Sequence, residues 1–475
     1  MPQWDSPFKD KTKSRVTRAV AVAKNKRQND SISKSALSSV SKWLPPRDEH
    51  SDFWWSMAGP HFATLFRNAD YSLESQYEFL LFIHHYVVPR LGFCPRTFAS
   101  GSTSGDSGLS LDGTHIEYSW RWNEPDTKPE IRMVMEPFSR FAGTYMDPLN
   151  IKPATELLYS MIPQIPSLDM SLFNHFMGKF YDAAQHMYLE TNERPIMTNL
   201  CLGFEFLGHE ILPKAYFFPR KLGQIGLTPM GVWEDAIVSA VPDTPTIGSV
   251  FSFIKEEAPD LGLTLTPLWL GIDVIRPADA RLKLYCVEAR TSFTSVKSVL
   301  TMGGKARVSE KILEKAWELM KAVCNLPPDF PQDKDLPRAP QYNASTDGVD
   351  TAGLWGTFAY YFDIGLRQQE FPDVKFYIPV CHYGVNDEAI ASAVTKWMID
   401  NGRGQYVDAY WNSLREIITH RPLEESRGAH MWLSMMVRSG KLQVTTYIAP
   451  EGHHPKRQGV VAGTGRDIVT RVTSC

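Results

Sequence analysis

Apolar and polar residues alternate in ten short stretches of this chain, and the stretches occur as five neighbouring pairs. An alternation with a period of two is typical of β-strands whose two faces meet different surroundings. Two such strands in succession predict an antiparallel hairpin. The five predicted hairpins are THIEYSWRW with EIRMVMEPF, TNLCLGFEFLG with ILPKAYFFPR, LTPLWLGIDV with ARLKLYCVEA, FAYYFDIG with VKFYIPVC, and HMWLSMMVR with KLQVTTYIAP.

The segments between the hairpins have helical character instead. They include SLFNHFMGKFYDAAQHMYL, SEKILEKAWELMKAV and DEAIASAVTKWMIDNGRGQYVDAYWNSLREII. Upstream of the hairpins another helix is predicted, with Ser72 as its N-cap and with Pro89 and Gly92 at its end. A repeated strand–strand–helix unit must bury one face of its sheet under the helices. We therefore expect an α+β fold in which an antiparallel ten-stranded β-barrel, without exposed sheet edges, is ringed by helices.

This arrangement decides which residues face the interior of the barrel. In the stretch RLKLY, Arg281, Lys283 and Tyr285 lie on one face, and Leu282 and Leu284 lie on the other. Because the apolar face must contact the outer helices, the two cations and the phenol are expected inside. A ten-stranded barrel is wider than one that side chains fill, so its interior has room for ligands.

The same alternation recurs in the other predicted strands. Lys214 precedes Tyr216 by two residues, and Lys375 precedes Tyr377 in the same way. The polar faces of further strands carry Glu117, Arg132, Trp432, Arg438, Gln443 and Tyr447. For any single strand, a face wetted by solvent explains such a pattern. For several strands of one barrel, a shared interior site explains it better.

Cations and tyrosines on one wall favour a particular kind of ligand. Several Lys and Arg side chains that converge suit a diphosphate, which carries several negative charges and many acceptor oxygens. Tyrosine hydroxyls can bind the same oxygens, and the ring faces stabilise a nearby cation by roughly 0.5–2 kcal/mol each. A substrate that separates into diphosphate and a carbocation has both properties. An allylic prenyl diphosphate is such a substrate.

The composition excludes several other classes of protein. The chain has 475 residues and a formal net charge of -3, which argues against nucleic-acid binding by bulk electrostatics. It contains no apolar run as long as a membrane span and no hydrophobic signal-peptide core, so we expect no membrane span. The six cysteines have no pairing or metal-ligand spacing, which predicts reduced thiols and a cytoplasmic location.

The chain is expected to form one large domain with two tails. Residues 1–48 are basic and poor in apolar side chains, which predicts a disordered tail. The barrel domain is expected over residues 49–455, and a flexible tail over residues 456–475. We expect a monomer or a homodimer.

Eight motifs give the chain a family resemblance. They are LESQYEFLLF, PRLG, IEYSW, IRMVMEP, DPLN, KAYFFP, RLKLY and TTYIAPEG, in this order. With them the chain resembles the fungal aromatic prenyltransferases of the dimethylallyltryptophan synthase type, from about residue 50 to about residue 452. The resemblance implies a barrel of repeated ααββ units, known as the ABBA barrel, in an enzyme of secondary metabolism that transfers a prenyl group from a diphosphate to an aromatic ring. It also implies that no cofactor and no Mg²⁺ are needed, and the sequence contains no DDxxD motif.

The resemblance assigns roles to the residues of the polar faces. The diphosphate would be bound by Arg132, Lys214, Arg281, Lys283 and Arg438, with Lys375 as a sixth cation where some members have Gln. The aromatic shield of the carbocation would include Tyr216, Tyr285, Tyr377 and Tyr447. Trp432 and Gln443 occupy shield positions where Tyr is common, and Trp faces a cation at least as well as Tyr does.

The expected acceptor depends on two further positions. Glu117 matches the family's acidic residue that accepts the N–H of an indole and so stabilises the cationic ring intermediate. Cys201 stands near a Lys that members acting on free tryptophan use to remove the ring proton, and a thiol is a weaker base. We therefore expect an indole acceptor larger than tryptophan, of the indole-diterpene or diketopiperazine type, prenylated with dimethylallyl diphosphate. The alternatives are the same chemistry on a phenolic polycycle and a carrier barrel that binds a hydrophobic metabolite without chemistry.

Overall fold

Ten antiparallel strands close into one barrel, in which each strand pairs with its neighbours along the chain and β10 pairs with β1. The computed structural model describes residues 36–95, 107–122, 127–190, 198–224, 226–241, 244–337, 356–365, 370–438 and 440–457. The strands are β1 (Ile116–Trp122), β2 (Glu130–Met135), β3 (Leu200–Leu207), β4 (Glu210–Phe217), β5 (Thr266–Asp273), β6 (Arg281–Glu288), β7 (Phe358–Gly365), β8 (Asp373–Ile378), β9 (His430–Arg438) and β10 (Lys441–Ile448). The five predicted hairpins and the closed barrel are confirmed.

Helices surround the barrel and connect its hairpins. They are α1 (Glu49–Asn68), α2 (Leu73–Phe82), α3 (Lys152–Met161), α4 (Ser171–Phe180), α5 (Met230–Val238), α6 (Pro245–Ser252), α7 (Phe293–Leu300), α8 (Glu310–Val323), α9 (Asp387–Asp400) and α10 (Val407–Ile417). Ser72 caps α2 as predicted, because its hydroxyl accepts a hydrogen bond from the backbone N–H of Ser75. The long helix predicted from residue 387 is divided in two, and Gly402 adopts a positive φ of 76° between the halves. In the ranges above, no helix combines the length and apolarity needed to cross a membrane.

The two faces of each strand contact different surroundings, as the alternation predicts. In β6, Leu282 and Leu284 belong to the large hydrophobic core that also contains the α7 residue Val296. Tyr285 belongs instead to a separate apolar cluster inside the barrel, together with Tyr361 and others. The polar face of the strands therefore points into the barrel interior.

Residues just outside the predicted boundaries at 49 and 455 contact the barrel domain. Residues 36–43 form a helix, and the apolar side chains of Ala36 and Val40 are buried in the core. Near the other end, the buried guanidinium of Arg457 donates hydrogen bonds to the backbone oxygens of Ile417 and Pro450. The disorder predicted for the two tails otherwise concerns residues 1–35 and 458–475, which lie outside the described ranges.

A buried ion network connects α9 to the last hairpin of the barrel. The guanidinium of Arg421 is 2.6 Å from Asp387 at the start of α9 and 2.8 Å from Glu451, which follows β10. Asp387 also accepts hydrogen bonds from the backbone and the ring of His430, the first residue of β9. The Arg421 side chain is only 1% exposed, so both carboxylates depend on it for charge compensation.

We predict that Arg421→Met destabilises the protein by about 3–5 kcal/mol, because two buried carboxylates lose their cation. The free energy of unfolding from urea denaturation measures the effect. Lys456→Met is the matched control, since Lys456 forms its ion pair with Glu425 on the surface. The control should leave the unfolding free energy unchanged within error, and equal losses in the two variants would contradict the role of burial.

Candidate active site

Seven basic side chains line a cavity of about 700 Å³, counted with its open mouth, inside the barrel. Five strands contribute the six cations predicted from the sequence, and all six line this one cavity: Arg132, Lys214, Arg281, Lys283, Lys375 and Arg438. The seventh cation is Arg121 of β1. The cations lie toward the end of the barrel where the hairpin turns are, because Arg281 is the first residue of β6 and Arg438 is the last residue of β9. We call these seven side chains the cation layer.

Buried carboxylates are interleaved with the cation layer. Asp273 lies 2.6 Å from Lys214, 2.7 Å from Arg281 and 3.1 Å from Lys283. Glu205 lies 3.0 Å from Arg132 and 3.2 Å from Lys214. Burial alone raises the pKa of both carboxyls, but their cationic neighbours outweigh it and hold each pKa well below its usual range. Both carboxylates therefore stay charged at neutral pH.

Five tyrosine rings form the next layer along the barrel axis. Tyr285 is central, with ring centroids 5.2 Å from Tyr361, 5.9 Å from Tyr377 and 6.2 Å from Tyr216. Tyr447 continues the layer, 5.7 Å from Tyr377. These separations are typical of aromatic pairs in contact. The four predicted tyrosines thus lie together, and Tyr361 joins them as a fifth member of what we call the tyrosine layer.

Lys375 connects the two layers. Its ammonium lies 5.3 Å from the ring centroid of Tyr377, 5.6 Å from that of Tyr447 and 5.9 Å from that of Tyr361. It also donates a hydrogen bond to the Tyr447 hydroxyl at 3.1 Å. Burial, and after it the charge of Arg132, lowers the pKa of Lys375 well below its usual range. The three ring faces around the Lys375 nitrogen would each attract a cation placed between them, although burial disfavours the charge of Lys375 itself.

Glu117 lies beyond the tyrosine layer, on the side away from the cations. Its β1 neighbour Ser119 stands opposite Tyr447, so Glu117 is two residues further along the same face. Its carboxyl is 6% exposed, does not line the cavity, and has no hydrogen-bond partner among the described residues. Burial raises the pKa of Glu117 to about 8, so the carboxyl is mostly protonated at pH 7.

Cys201 lies near Glu117 on β3, directly opposite Tyr216. Burial, together with the charges of Glu136 and Glu117, raises the pKa of the Cys201 thiol well above its usual range. A thiol that stays protonated cannot accept the ring proton.

Two residues predicted to belong to the aromatic shield, Gln443 and Trp432, do not lie among the five tyrosines. Gln443 lines the cavity, but its amide oxygen accepts a hydrogen bond from Arg121 at 3.2 Å, which places it among the cations. Trp432 does not line the cavity. Its ring is 6.3 Å from that of Tyr377, and Trp432 stands opposite Tyr447, so it packs against the tyrosine layer.

Sequence reasoning missed four polar residues of the site. Arg121 continues the polar face of Glu117 and Ser119, and extending the alternation by one step would have found it. Tyr361 stands two residues before Asp363 and does not follow a Lys at that spacing, so it lacks the pattern that marks Tyr216, Tyr285 and Tyr377. Asp273 and Glu205 were detectable only as polar residues within apolar strands. Their partners become evident from the register, in which Asp273 faces Lys214 and Glu205 faces Arg132.

The arrangement of the layers suits a charge-separating reaction. The cation layer can bind a polyanion and stabilise further negative charge that develops on it. The tyrosine layer can stabilise positive charge next to it while excluding water.

Comparisons with known proteins agree with this geometry. The family model of tryptophan dimethylallyltransferase matches residues 50–413. The chain is 35% identical to the prenyltransferase anuH of Penicillium roqueforti, over 89% of this chain and 94% of that protein. It is 37% identical to xanthone prenyltransferase A of Emericella nidulans, over 89% of this chain and 97% of that protein.

Solved structures share the fold. AnaPT from Neosartorya fischeri superposes with a TM-score of 0.73 at 23% identity, covering 88% of this chain and 98% of that chain. NotF, whose structure contains brevianamide F and dimethylallyl thiolodiphosphate, superposes with a TM-score of 0.70 at 20% identity, covering 87% and 98%. The chain therefore belongs to the tryptophan dimethylallyltransferase family and is an aromatic prenyltransferase with an ABBA barrel.

Proposed function

We propose that the protein transfers a dimethylallyl group from dimethylallyl diphosphate to an aromatic carbon of a polycyclic acceptor. The observation that carries the proposal is the order of groups along the barrel axis: cation layer, tyrosine layer, then Glu117. The diphosphate would bind in the cation layer, the allyl group would lie against the tyrosines, and the acceptor ring would reach the allyl group from the side of Glu117.

The reaction is an electrophilic aromatic substitution. The C–O bond of the donor breaks, and its electron pair leaves with the diphosphate. The allyl cation is attacked by the acceptor ring, a C–C bond forms, and the ring then loses a proton to restore aromaticity. We propose that no Mg²⁺ takes part, because the basic side chains of the cation layer, above all its four arginines, supply the positive charge that a metal would supply to the leaving group.

Two glycines allow the tyrosine layer to form. A Cβ at Gly203 of β3 would lie 2.9 Å from the Tyr216 ring. A Cβ at Gly271 of β5 would lie 3.0 Å from Tyr216 and 3.2 Å from Tyr285. Tyr216 therefore lies between two neighbouring strands that have no side chain at the point of closest approach. This packing supports the proposed role of the rings, since it lets the Tyr216 ring approach the backbone of both neighbouring strands.

An indole acceptor, of the indole-diterpene or diketopiperazine type, is supported by Glu117. Its buried carboxyl has no protein partner among the described residues and is free to accept an indole N–H. That interaction is strongest when the carboxyl is ionised, which happens as the pH rises through about 8.

A phenolic polycycle is supported by two other observations. The carboxyl of Glu117 is mostly protonated at pH 7, so it can donate a hydrogen bond to a phenol or carbonyl oxygen. Among the relatives, two that are 37% and 33% identical are named as xanthone prenyltransferases. Opposite protonation states of Glu117 therefore favour the two acceptor classes.

We predict that Lys283→Ala lowers turnover of dimethylallyl diphosphate by at least about 100-fold, because it removes a buried donor to the leaving diphosphate. The fold should survive, since Asp273 keeps Lys214 and Arg281 as partners. Product formation is followed by mass spectrometry, with EDTA present to remove metal ions. Lys255→Ala, which removes the same charge from the surface, should retain full activity. Normal turnover by Lys283→Ala would refute the assigned role.

We expect Gly271→Ala to lower turnover by roughly tenfold, since the added methyl group displaces the Tyr216 and Tyr285 rings. Overpacking of this kind also costs about 1–3 kcal/mol of stability. Gly178→Ala is the matched control, because an added Cβ there meets no atom within 4 Å. The control should keep its activity and gain up to about 1 kcal/mol in helix α4. A Gly271→Ala variant with unchanged turnover would show that the ring positions do not matter.

The acceptor class can be read from the pH dependence of turnover between pH 6.5 and pH 9. With an indole acceptor, turnover should rise by about tenfold with an apparent pKa near 8, because the ionised carboxyl accepts the N–H. With a phenolic acceptor, turnover should fall over the same range, because the protonated form is the donor. A diketopiperazine, an indole diterpene and a xanthone are compared in wild type and in Glu117→Gln. With an acceptor of the correct class, Glu117→Gln should show no change of turnover with pH over this range.

Retention of dimethylallyl diphosphate without transfer to any acceptor of this panel, or to free tryptophan, would instead favour the carrier-barrel alternative.

A further inference from the structure

Two carboxylates contact the cations to which the proposed function assigns a polyanion. Glu205 lines the cavity, whereas Asp273 contacts three of its cations without lining it. Asp273 and Glu205 together contact four of the seven cations, and they share Lys214. Their side chains are 2% and 7% exposed. The cations are therefore not a simple positive surface, because fixed negative charges are built into the same layer.

We propose that Asp273, supported by Glu205, is a positioning residue that limits the affinity of the barrel for diphosphate and thereby speeds the release of the diphosphate product. The inference rests on the proposed function, since it assigns the diphosphate to the cation layer. Asp273 itself makes no bond to the substrate. It acts through Lys214, Arg281 and Lys283, which it holds at distances of 2.6–3.1 Å.

The position of Asp273 determines the spacing of its three cations. The register places Lys214 directly opposite Asp273, and Lys283 directly opposite Gly271 on the same face. Arg281 donates to Asp273 through both its side chain and its backbone N–H. One carboxylate thus ties the end of β5 to the middle of β4 and the start of β6, so that three donors converge on one point.

The same carboxylate competes with diphosphate for these donors. Its charge persists, because Lys214, Lys283 and Arg281 together outweigh burial and lower the pKa of Asp273 well below its usual range. Breaking the C–O bond leaves one more negative charge on the diphosphate than the ester carried. Repulsion from a fixed carboxylate grows with the charge of its neighbour. Asp273 therefore weakens binding of the free product more than binding of the prenyl ester.

The simpler alternative is that Asp273 only compensates buried cations. In that case its removal would disorder the lysines and the arginine, and diphosphate would bind more weakly. The two explanations thus predict opposite changes in affinity. The sign of the change decides between them.

The test uses Asp273→Asn and Glu205→Gln in the full chain, with sodium diphosphate as the probe. Calorimetric titration should give a Kd about tenfold lower than wild type for Asp273→Asn, and lower by a smaller factor for Glu205→Gln. Steady-state turnover of dimethylallyl diphosphate should fall, while the single-turnover rate falls less, because product release becomes limiting. Asp387→Asn is the matched control: it changes an equally buried, ion-paired aspartate outside the cavity. It should lower stability without changing the Kd for diphosphate.

An equal or higher Kd in both lumen variants would overturn the inference and leave the proposed function intact. If Asp273→Asn does not fold, the sign of the change in Glu205→Gln decides. Failure of the wild-type protein to bind diphosphate at all would instead overturn the proposed function, and the inference with it.

Discussion

The register of the barrel strands is the constraint on which the other features depend. Helices cover the outer surface, so every strand must present its apolar face outward and its polar face inward. Hydrogen bonding between neighbouring strands then decides which interior side chains meet. It places Lys214 opposite Asp273 and Arg132 opposite Glu205. A slip of one residue in any strand would turn its charged side chains toward the hydrophobic core, where they would have no partners.

Closure of the barrel turns this register into an ordered series of layers. Each strand contributes its interior residues two positions apart, so Lys283 and Tyr285 of β6 fall into successive layers. The pattern is shared by β4 and β8. As a result, charge and aromatic rings are largely separated along the axis, and Lys375 lies where the two layers meet. A reaction that separates a diphosphate from a carbocation requires this separation, because each product needs a different environment.

Ion pairs inside this protein serve two purposes, and the exposed fraction of the arginine side chain distinguishes the two. Arg421 is 1% exposed, and its guanidinium is used by two carboxylates and backbone oxygens of the protein itself. Arg281 and Arg438 are 30% and 24% exposed, although each also contacts a carboxylate. The first arrangement leaves no donor for a ligand and holds the end of the barrel together. The second keeps part of each guanidinium available on the cavity side, at the cost of a competing carboxylate.

The sequence by itself determined the ten strands, their pairing into hairpins and the inward face of each, since these follow from local periodicity and from the need to cover apolar residues. It also determined most of the cation and tyrosine layers, because their residues repeat at the same spacing in several strands. Only the tertiary structure decided that Asp273 and Glu205 neutralise the cations, that Tyr361 completes the tyrosine layer, and that Gln443 binds Arg121. These contacts join residues far apart in the chain, and their partners are set by register and barrel closure. The local sequence specifies neither the register nor the closure of the barrel.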